Sequence, residues 1–256
     1  MKFEILTLFP EYFNVSLKQS LIGKAAEKKL FDIEILDLRA FTTDKHRTAD
    51  DTPFGGGGGM VMKLEPIDRA LAHCGYPRKS SGTSRAKSRI LLTSAAGTPF
   101  TQNKAIEYSL GDNVTIICGH YLGVDERILE LYEMDEVSIG DYILTGGEPA
   151  AAVMLDAIAR LIPKVLGNFE SALNDSYMNQ MLGSPCYTKP AEYEGFKVPD
   201  WLTSGNHAEI DKFRRREAIR KCLKYRPDLL EKADLSGDEL KLLDELRREK
   251  MKIEKG

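Results

Sequence analysis

Short apolar runs alternate with helical stripes along the first half of the chain, and their spacing assigns the elements. "FEILTLF" (3–9) and "FDIEILDL" (31–38) are rich in Ile, Leu and Phe, and the second alternates apolar with polar positions as a strand does. Between them, "LKQSLIGKAAEKKL" (17–30) places Leu17, Leu21, Ile22 and Ala25 on one stripe of a helix. The pattern repeats with "RILLTSA" (89–95) as strand, "TQNKAIEYSL" (101–110) as helix capped by Thr101, "NVTIICG" (113–119) as strand and "DERILELYEM" (125–134) as helix. Strands and helices in alternation predict an α/β fold, a mostly parallel sheet covered by helices.

Farther along, the apolar helix "AAAVMLDAIARLI" (150–162) is ended by Pro163. "GNFESALNDSYMNQ" (167–180) lacks a clean period and reads as a flexible interdomain linker. "HAEIDKFRRREAIRKCLKYRPDLL" and "SGDELKLLDELRREKMKIEK" read as helices, which predicts a domain over 1–166 and a small all-helical one over 181–256. The polar, basic "KSSGTSRAKS" (79–88) reads as a mobile loop inside the first domain.

At 256 residues, with 42% hydrophobic and 29% charged positions, the composition is that of an ordinary folded chain and excludes a disordered one. No apolar stretch approaches the roughly 18 residues of a membrane span. "MKFEILTLFPEYF" lacks the apolar core and cleavage site of a signal peptide, so a cytoplasmic protein is expected. Cys74, Cys118, Cys186 and Cys222 show no Cys-x-x-Cys spacing, and His46, His73, His120 and His207 form no cluster, so no structural metal is expected. The net charge of −3 conceals an asymmetry: Lys212, Arg214, Arg215, Arg216, Arg220, Lys221, Lys224 and Arg226 set eight basic residues against one acid, Glu217, a local charge of +7. Such a stretch is either a solvated helix face or a footprint for phosphates.

"DTPFGGGGGMVM" (51–62) carries five consecutive glycines between Pro53-Phe54 and Met60-Val61-Met62, apolar flanks expected to be buried, which argues against a slack tether. Two readings remain: bare backbone facing a ligand, or an inert tight loop. "CGHYLGVDER" (118–127) and "SIGDYILTGGEPAA" (138–151) put further glycines at strand ends, where open α/β sheets bind ligands, although turns alone would also use them. Neither G-x-G-x-x-G nor G-x-x-x-x-G-K-[ST] occurs, so a dinucleotide fingerprint and a P-loop are not supported.

The segments "PFGGGGGMVM", "CGHYLGVDERI", "SIGDYILTGGEPAA", "DAIARLIPKVLG", "NDSY", "YTKP" and "SGNHAEI", in that order, resemble the bacterial tRNA (guanine-37-N1)-methyltransferases of the SPOUT class. The resemblance implies a deep trefoil knot in the N-terminal domain, with S-adenosylmethionine held by three loops. By motif these are Thr93, Ser94 and Ala95; Gly119, Tyr121 and Leu122; and Ser138, Ile139, Gly140, Asp141, Tyr142, Ile143, Leu144, Gly146 and Gly147. It implies that Asp175 is the general base for guanine N1 and that Arg160 steadies charge developing toward guanine O6; on residue type alone, a capping aspartate and a solvated arginine stay open. RNA contacts fall to Gly55, Gly56, Gly57, Gly58 and Gly59 and to Lys212, Arg214, Arg215 and Arg220. A homodimer that binds the tRNA anticodon arm, and magnesium during catalysis, are further implications. The chain departs from the family pattern at Leu122, where a glutamate is common, at Gly58, where a proline is common, and in "GGEPAA". A SPOUT enzyme with another RNA target and a non-catalytic RNA-binding protein are the alternative expectations.

Overall fold

The apolar runs become five parallel strands, β1 (Lys2–Thr7), β2 (Asp32–Asp37), β3 (Ser88–Pro99), β4 (Asn113–Ile117) and β5 (Asp135–Ser138), ordered β2-β1-β4-β3-β5. They belong to the first of two compact units, Met1–Asn168 and Phe169–Gly256; the computed structural model describes residues 1–167, 175–203 and 205–253. Residues 168–174 of the predicted linker thus lie outside the described residues.

Helices α1 (Ser20–Glu27), α2 (Leu64–His73), α3 (Gln102–Ser109) and α4 (Glu148–Ala159) cover the sheet. Strand β4 is buried along its whole length, its two polar side chains Asn113 and Thr115 included. The period of two sorts the side chains. Phe3, Ile5, Leu91, Val114 and Ile116 pack with Ile22 of α1, Tyr108 of α3 and Met154, Leu155 and Ile158 of α4. Leu6, Ile90, Leu92 and Ile117 pack on the opposite face with Ile67 and Leu71 of α2 and with Ile128.

Several expectations are corrected. Leu21 is exposed, because the chain turns before Ser20 (φ +59°) and the helix begins there, leaving Leu17 buried ahead of it. The helix expected over 125–134 shortens to Arg127–Leu131, since Tyr132 turns extended and buries its ring while its hydroxyl donates to Asp68 Oδ1 at 2.7 Å. Phe54 is fully exposed, whereas Met62 is buried: the run closes a small antiparallel ladder of Asp50–Asp51 with Val61–Met62, and of its two apolar flanks only the far one reaches the core. Helix α2 and strand β5 are additions. Pro66 sits in the first turn of α2, where its missing N–H costs nothing. Thr101 caps α3 as expected, accepting from the Lys104 amide at 3.4 Å.

The second unit holds α5 (His207–Tyr225) and α6 (Gly237–Ile253), both at their predicted places, packed around Met181, Ile219, Cys222, Leu230, Leu243 and Leu246. A hairpin pairing Glu192–Tyr193 with Phe196–Lys197 precedes them, outside the predicted pattern. Residues 175–183 are docked on this unit: Met181 is buried, the Leu182 amide reaches Cys222 Sγ at 3.1 Å, and the Tyr177 amide donates to the Met181 carbonyl at 2.6 Å. Among the described residues no helix is long and apolar enough to cross a membrane.

At the amino ends of the strands a buried polar cluster replaces apolar packing. Glu4 accepts from Thr115 Oγ1 at 2.7 Å, Asn113 Nδ2 at 2.8 Å and Lys2 Nζ at 2.8 Å. Burial pushes the Glu4 carboxyl up, but its donors Asn113, Lys2 and Thr115 outweigh that and hold it below the usual carboxylate range. A lowered folded-state pKa gives stability that is present above the unfolded value and lost as pH falls through the folded one. Thr115→Val is therefore expected to lower stability in urea unfolding by about 1–3 kcal/mol at neutral pH. The gap to the parent protein should narrow as pH falls below 4.5, the ordinary value for this group.

Candidate active site

A bulge within β3 and the loops that leave the carboxyl ends of β4 and β5 enclose one cleft of about 590 Å³, within the range of roughly 300–1,000 Å³ usual for small-molecule sites. The first loop is a bulge in β3. Thr93 and Thr98 both pair with Val137, so residues 94–97 are extruded from the ladder, and a Cβ on Gly97 would lie 2.4 Å from the Val137 amide nitrogen. The second loop follows β4 and turns at Tyr121, which takes a left-handed φ of +59°. The third follows β5, where Ser138 Oγ lies 3.2 Å from the Gly140 amide.

The second and third loops touch backbone to backbone. The Gly147 amide donates to the Gly119 carbonyl at 2.7 Å, His120 bridges Gly146, and the Gly119 amide donates to Thr93 Oγ1 at 2.8 Å. Side chains are excluded by distance: a Cβ on Gly147 would stand 2.0 Å from Thr93 Oγ1 and 2.8 Å from the Gly119 amide nitrogen. This crossing fits the knotted connection that the resemblance implies.

Of the fifteen residues expected to hold the donor, all except Asp141 line the cleft. Asp141 is exposed and is not among the lining residues. His120, Glu126, Glu136 and Thr145 also line it and were not anticipated; His120 stands inside the "CGHYLG" motif, between two residues that were. Among the described residues no lysine or arginine lines the cleft, while Glu126 and Glu136 do. A cleft so charged suits a cationic or neutral ligand and disfavours a phosphate. Backbone amides and carbonyls, the hydroxyls of Thr93, Ser94 and Ser138, and a rim of exposed Tyr121, Leu122, Tyr142 and Ile143 complete it.

Beneath the wall lies Glu148, the first residue of α4, nearly fully buried, whose Oε1 accepts from Thr7 Oγ1 at 2.7 Å. Its Oε2 faces His120 Nδ1 at 3.8 Å, and that ring nitrogen is buried with no hydrogen-bond partner among the described residues. Burial first, and the Glu148 charge second, push the adjacent Cys118 thiol well above its ordinary value. That thiol is accordingly held in its neutral, inert form.

The glycine run adjoins the cleft. Gly55, Gly56, Gly57 and Gly59 all have positive φ, between +78° and +110°, conformations that side chains resist. A Cβ on Gly59 would meet Leu122 Cδ1 at 3.1 Å, and the Leu122 amide donates to the Met60 carbonyl at 3.0 Å. Nothing stands within 4 Å of a Cβ built on Gly55, Gly56, Gly57 or Gly58, so the rest of the run faces open space.

Arg160 follows α4 directly, at its C-cap, and is half-buried. Asp175 belongs to the second unit, where it is exposed and its carbonyl accepts from the Met178 amide at 3.3 Å. On α5, Lys212 pairs with Glu209 at 3.0 Å and Arg214 with Asp211 at 3.3 Å, while Arg220 pairs with Glu217. Arg215 pairs with Glu239 and is half-buried, which gives it a packing role between α5 and α6. No group of three or more His, Cys, Asp or Glu side chains suited to a metal occurs among the described residues.

A family model described as tRNA (Guanine-1)-methyltransferase TrmD matches residues 1–232, from the first strand into the helices of the second unit. A Brevibacillus brevis protein named tRNA (guanine-N(1)-)-methyltransferase is 48% identical over 250 residues, which cover 98% of this chain and 100% of that protein. Proteins of the same name from Geobacter metallireducens and Limosilactobacillus fermentum are 49% and 46% identical, over 96% of this chain in each case and over 98% and 96% of their own lengths. On these matches, the chain belongs to the tRNA (guanine-1)-methyltransferase TrmD family.

Proposed function

We propose that the protein transfers a methyl group from S-adenosylmethionine to N1 of guanine 37 in tRNA, next to the anticodon, and that the three-loop cleft is the donor site. The observation that carries the reading is that the three loops assigned to the donor by resemblance enclose one cleft with no lysine or arginine lining it among the described residues. The cleft fits the donor: its walls are backbone because Gly119 and Gly147 leave no room for a Cβ, and its ionisable side chains are acids and a histidine, compatible with a positive sulfonium. When bound, S-adenosylmethionine supplies an activated methyl group, so the protein has to contribute alignment and the management of one proton.

Guanine N1 carries a proton at neutral pH and attacks well only as that proton leaves. Asp175 is the residue assigned to accept it, and Arg160 the one assigned to face the charge that builds on O6. Thr93, Ser94 and Ser138 orient the donor together with main-chain groups of the loops. Lys212, Arg214 and Arg220 take the phosphates of the anticodon arm, exchanging exposed ion pairs that are worth little in water for contacts with a polyanion. The exposed rim of Leu122, Tyr142 and Ile143 and the fully exposed Phe54 are surface for the RNA or for the second subunit of a homodimer to cover. Such an enzyme works in the cytoplasm, where its tRNA is. For magnesium the described residues offer no cluster, and no step is assigned to it.

Incubating the protein with a tRNA transcript and donor, then mapping the modified nucleotide by mass, tests the reading: N1-methylguanine at position 37 is expected, and methyl on another base or on ribose overturns it. Asp175→Ala is expected to cut turnover by at least about a hundredfold while donor affinity measured by calorimetry stays within about twofold. Gly147→Ala should instead abolish donor binding, because the added methyl collides with Thr93 Oγ1. Arg214→Ala is expected to weaken tRNA binding and to lower the slope of log affinity against log salt by about one unit, read in filter binding over a salt series.

A further inference from the structure

We propose that Glu148 is the buried counter-charge of the donor cleft and that it makes the site prefer a sulfonium ligand to its neutral thioether product. The inference rests on the cleft being the donor site. Three observations lead to it. First, Glu148 lies just behind the wall: a Cβ on the cleft-lining Gly146 would stand 2.4 Å from Glu148 Oε2 and 2.3 Å from His120 Nδ1. Second, its charge is only partly compensated. Thr7 satisfies Oε1, but Oε2 has no hydrogen-bond donor among the described residues, and no lysine or arginine pairs with it there. The start of α4 adds the favourable end of a helix dipole. Third, it is shielded from water, being 4% exposed. Glu126 is exposed and Glu136 half-buried, so their fields at the cleft are screened more strongly.

A buried carboxylate with an incomplete shell stabilises a positive charge across the wall more than an exposed one does. Methyl transfer removes that charge from the ligand: the bond from sulfur to the methyl carbon breaks, the bond from N1 to carbon forms, the N1 proton passes to the base, and a neutral thioether stays in the cleft. Attraction to Glu148 thus holds the donor and disappears with the reaction, which favours exchange of product for fresh donor. His120, its ring tilted against Phe9 at 4.9 Å and edge-on to Tyr121 at 4.6 Å, faces Oε2 without completing its shell. Glu148 therefore acts through the wall as a positioning and discriminating residue rather than by touching the reacting atoms.

Calorimetric titration of the full-length parent and of Glu148→Gln with S-adenosylmethionine and with S-adenosylhomocysteine tests the idea. Glutamine keeps the shape and can still accept from Thr7. The sulfonium is expected to bind about tenfold more weakly to the variant and the thioether within about twofold of its parent value. Equal weakening of both ligands would assign Glu148 to packing alone, and unchanged affinities would mean that no charge is felt in the cleft; either result overturns the proposal. If Glu148→Gln does not show a cooperative melt, Glu148→Met, which removes the charge at similar length, replaces it, and a selective loss of sulfonium affinity of at least about threefold is required. Failure of the donor-site reading looks different: Gly147→Ala would then leave both ligands binding as in the parent.

Discussion

The contact between the Gly119 carbonyl and the Gly147 amide, with Thr93 Oγ1 accepting from the Gly119 amide, is the constraint on which the rest of the site depends. Two chain segments from different strand ends can meet at 2.7 Å only if neither carries a side chain at the meeting point. Thr93 then locks the third segment to them, since its hydroxyl also donates to the Ile117 carbonyl at 3.2 Å. A close-packed core transmits such a constraint without slack, so loops that leave a fully buried sheet hold their shape before any ligand arrives. The cleft is in this sense a product of the core: Cys118 and Ile117, at the floor of the crossing, are completely buried.

The division of labour between side chains and backbone follows. Donor binding is assigned to main-chain groups and a few hydroxyls, which specify shape without adding charge. Ionisable groups are then few, and each counts. Among the described residues the lining carries two acids and a histidine but no lysine or arginine, and a further carboxylate lies buried behind it, so the cleft as a whole is disposed toward positive ligands. The polyanionic substrate is assigned to a different element. On α5, Lys212, Arg214 and Arg220 are exposed and paired with acids three residues away, a state that costs little to exchange for phosphate.

Not every basic residue of that helix is equivalent. Arg215, which charge counting groups with its neighbours, is half-buried against Glu239 of α6 and serves the core of the second unit. The glycine run shows the complementary lesson. Its flanks read as buried, yet Phe54 is fully exposed and only Met62 reaches the core, so the run is an ordered, outward-facing turn that leans on Leu122. Four of its glycines occupy backbone conformations hostile to side chains, which accounts for the composition without a slack tether.

Periodicity alone determined the α/β class, the alternation of strands and helices up to residue 134 apart from α2, and the helices of the C-terminal unit, because those signals are local: spacing of 2 or 3.6 is written in consecutive residues. The motifs named the family and the donor loops. What no local pattern contains is which loops meet. The bulge of β3 at residues 94–97, the short acidic strand β5 and the crossing of Gly119 by Gly147 arise from pairing between segments far apart in the chain, and only the tertiary structure decides them. The same holds for Glu148, Thr7 and His120. The carboxylate and hydroxyl that meet at 2.7 Å are 141 positions apart, and their burial comes from packing of α4 against the sheet, so nothing in either local sequence marks them as partners.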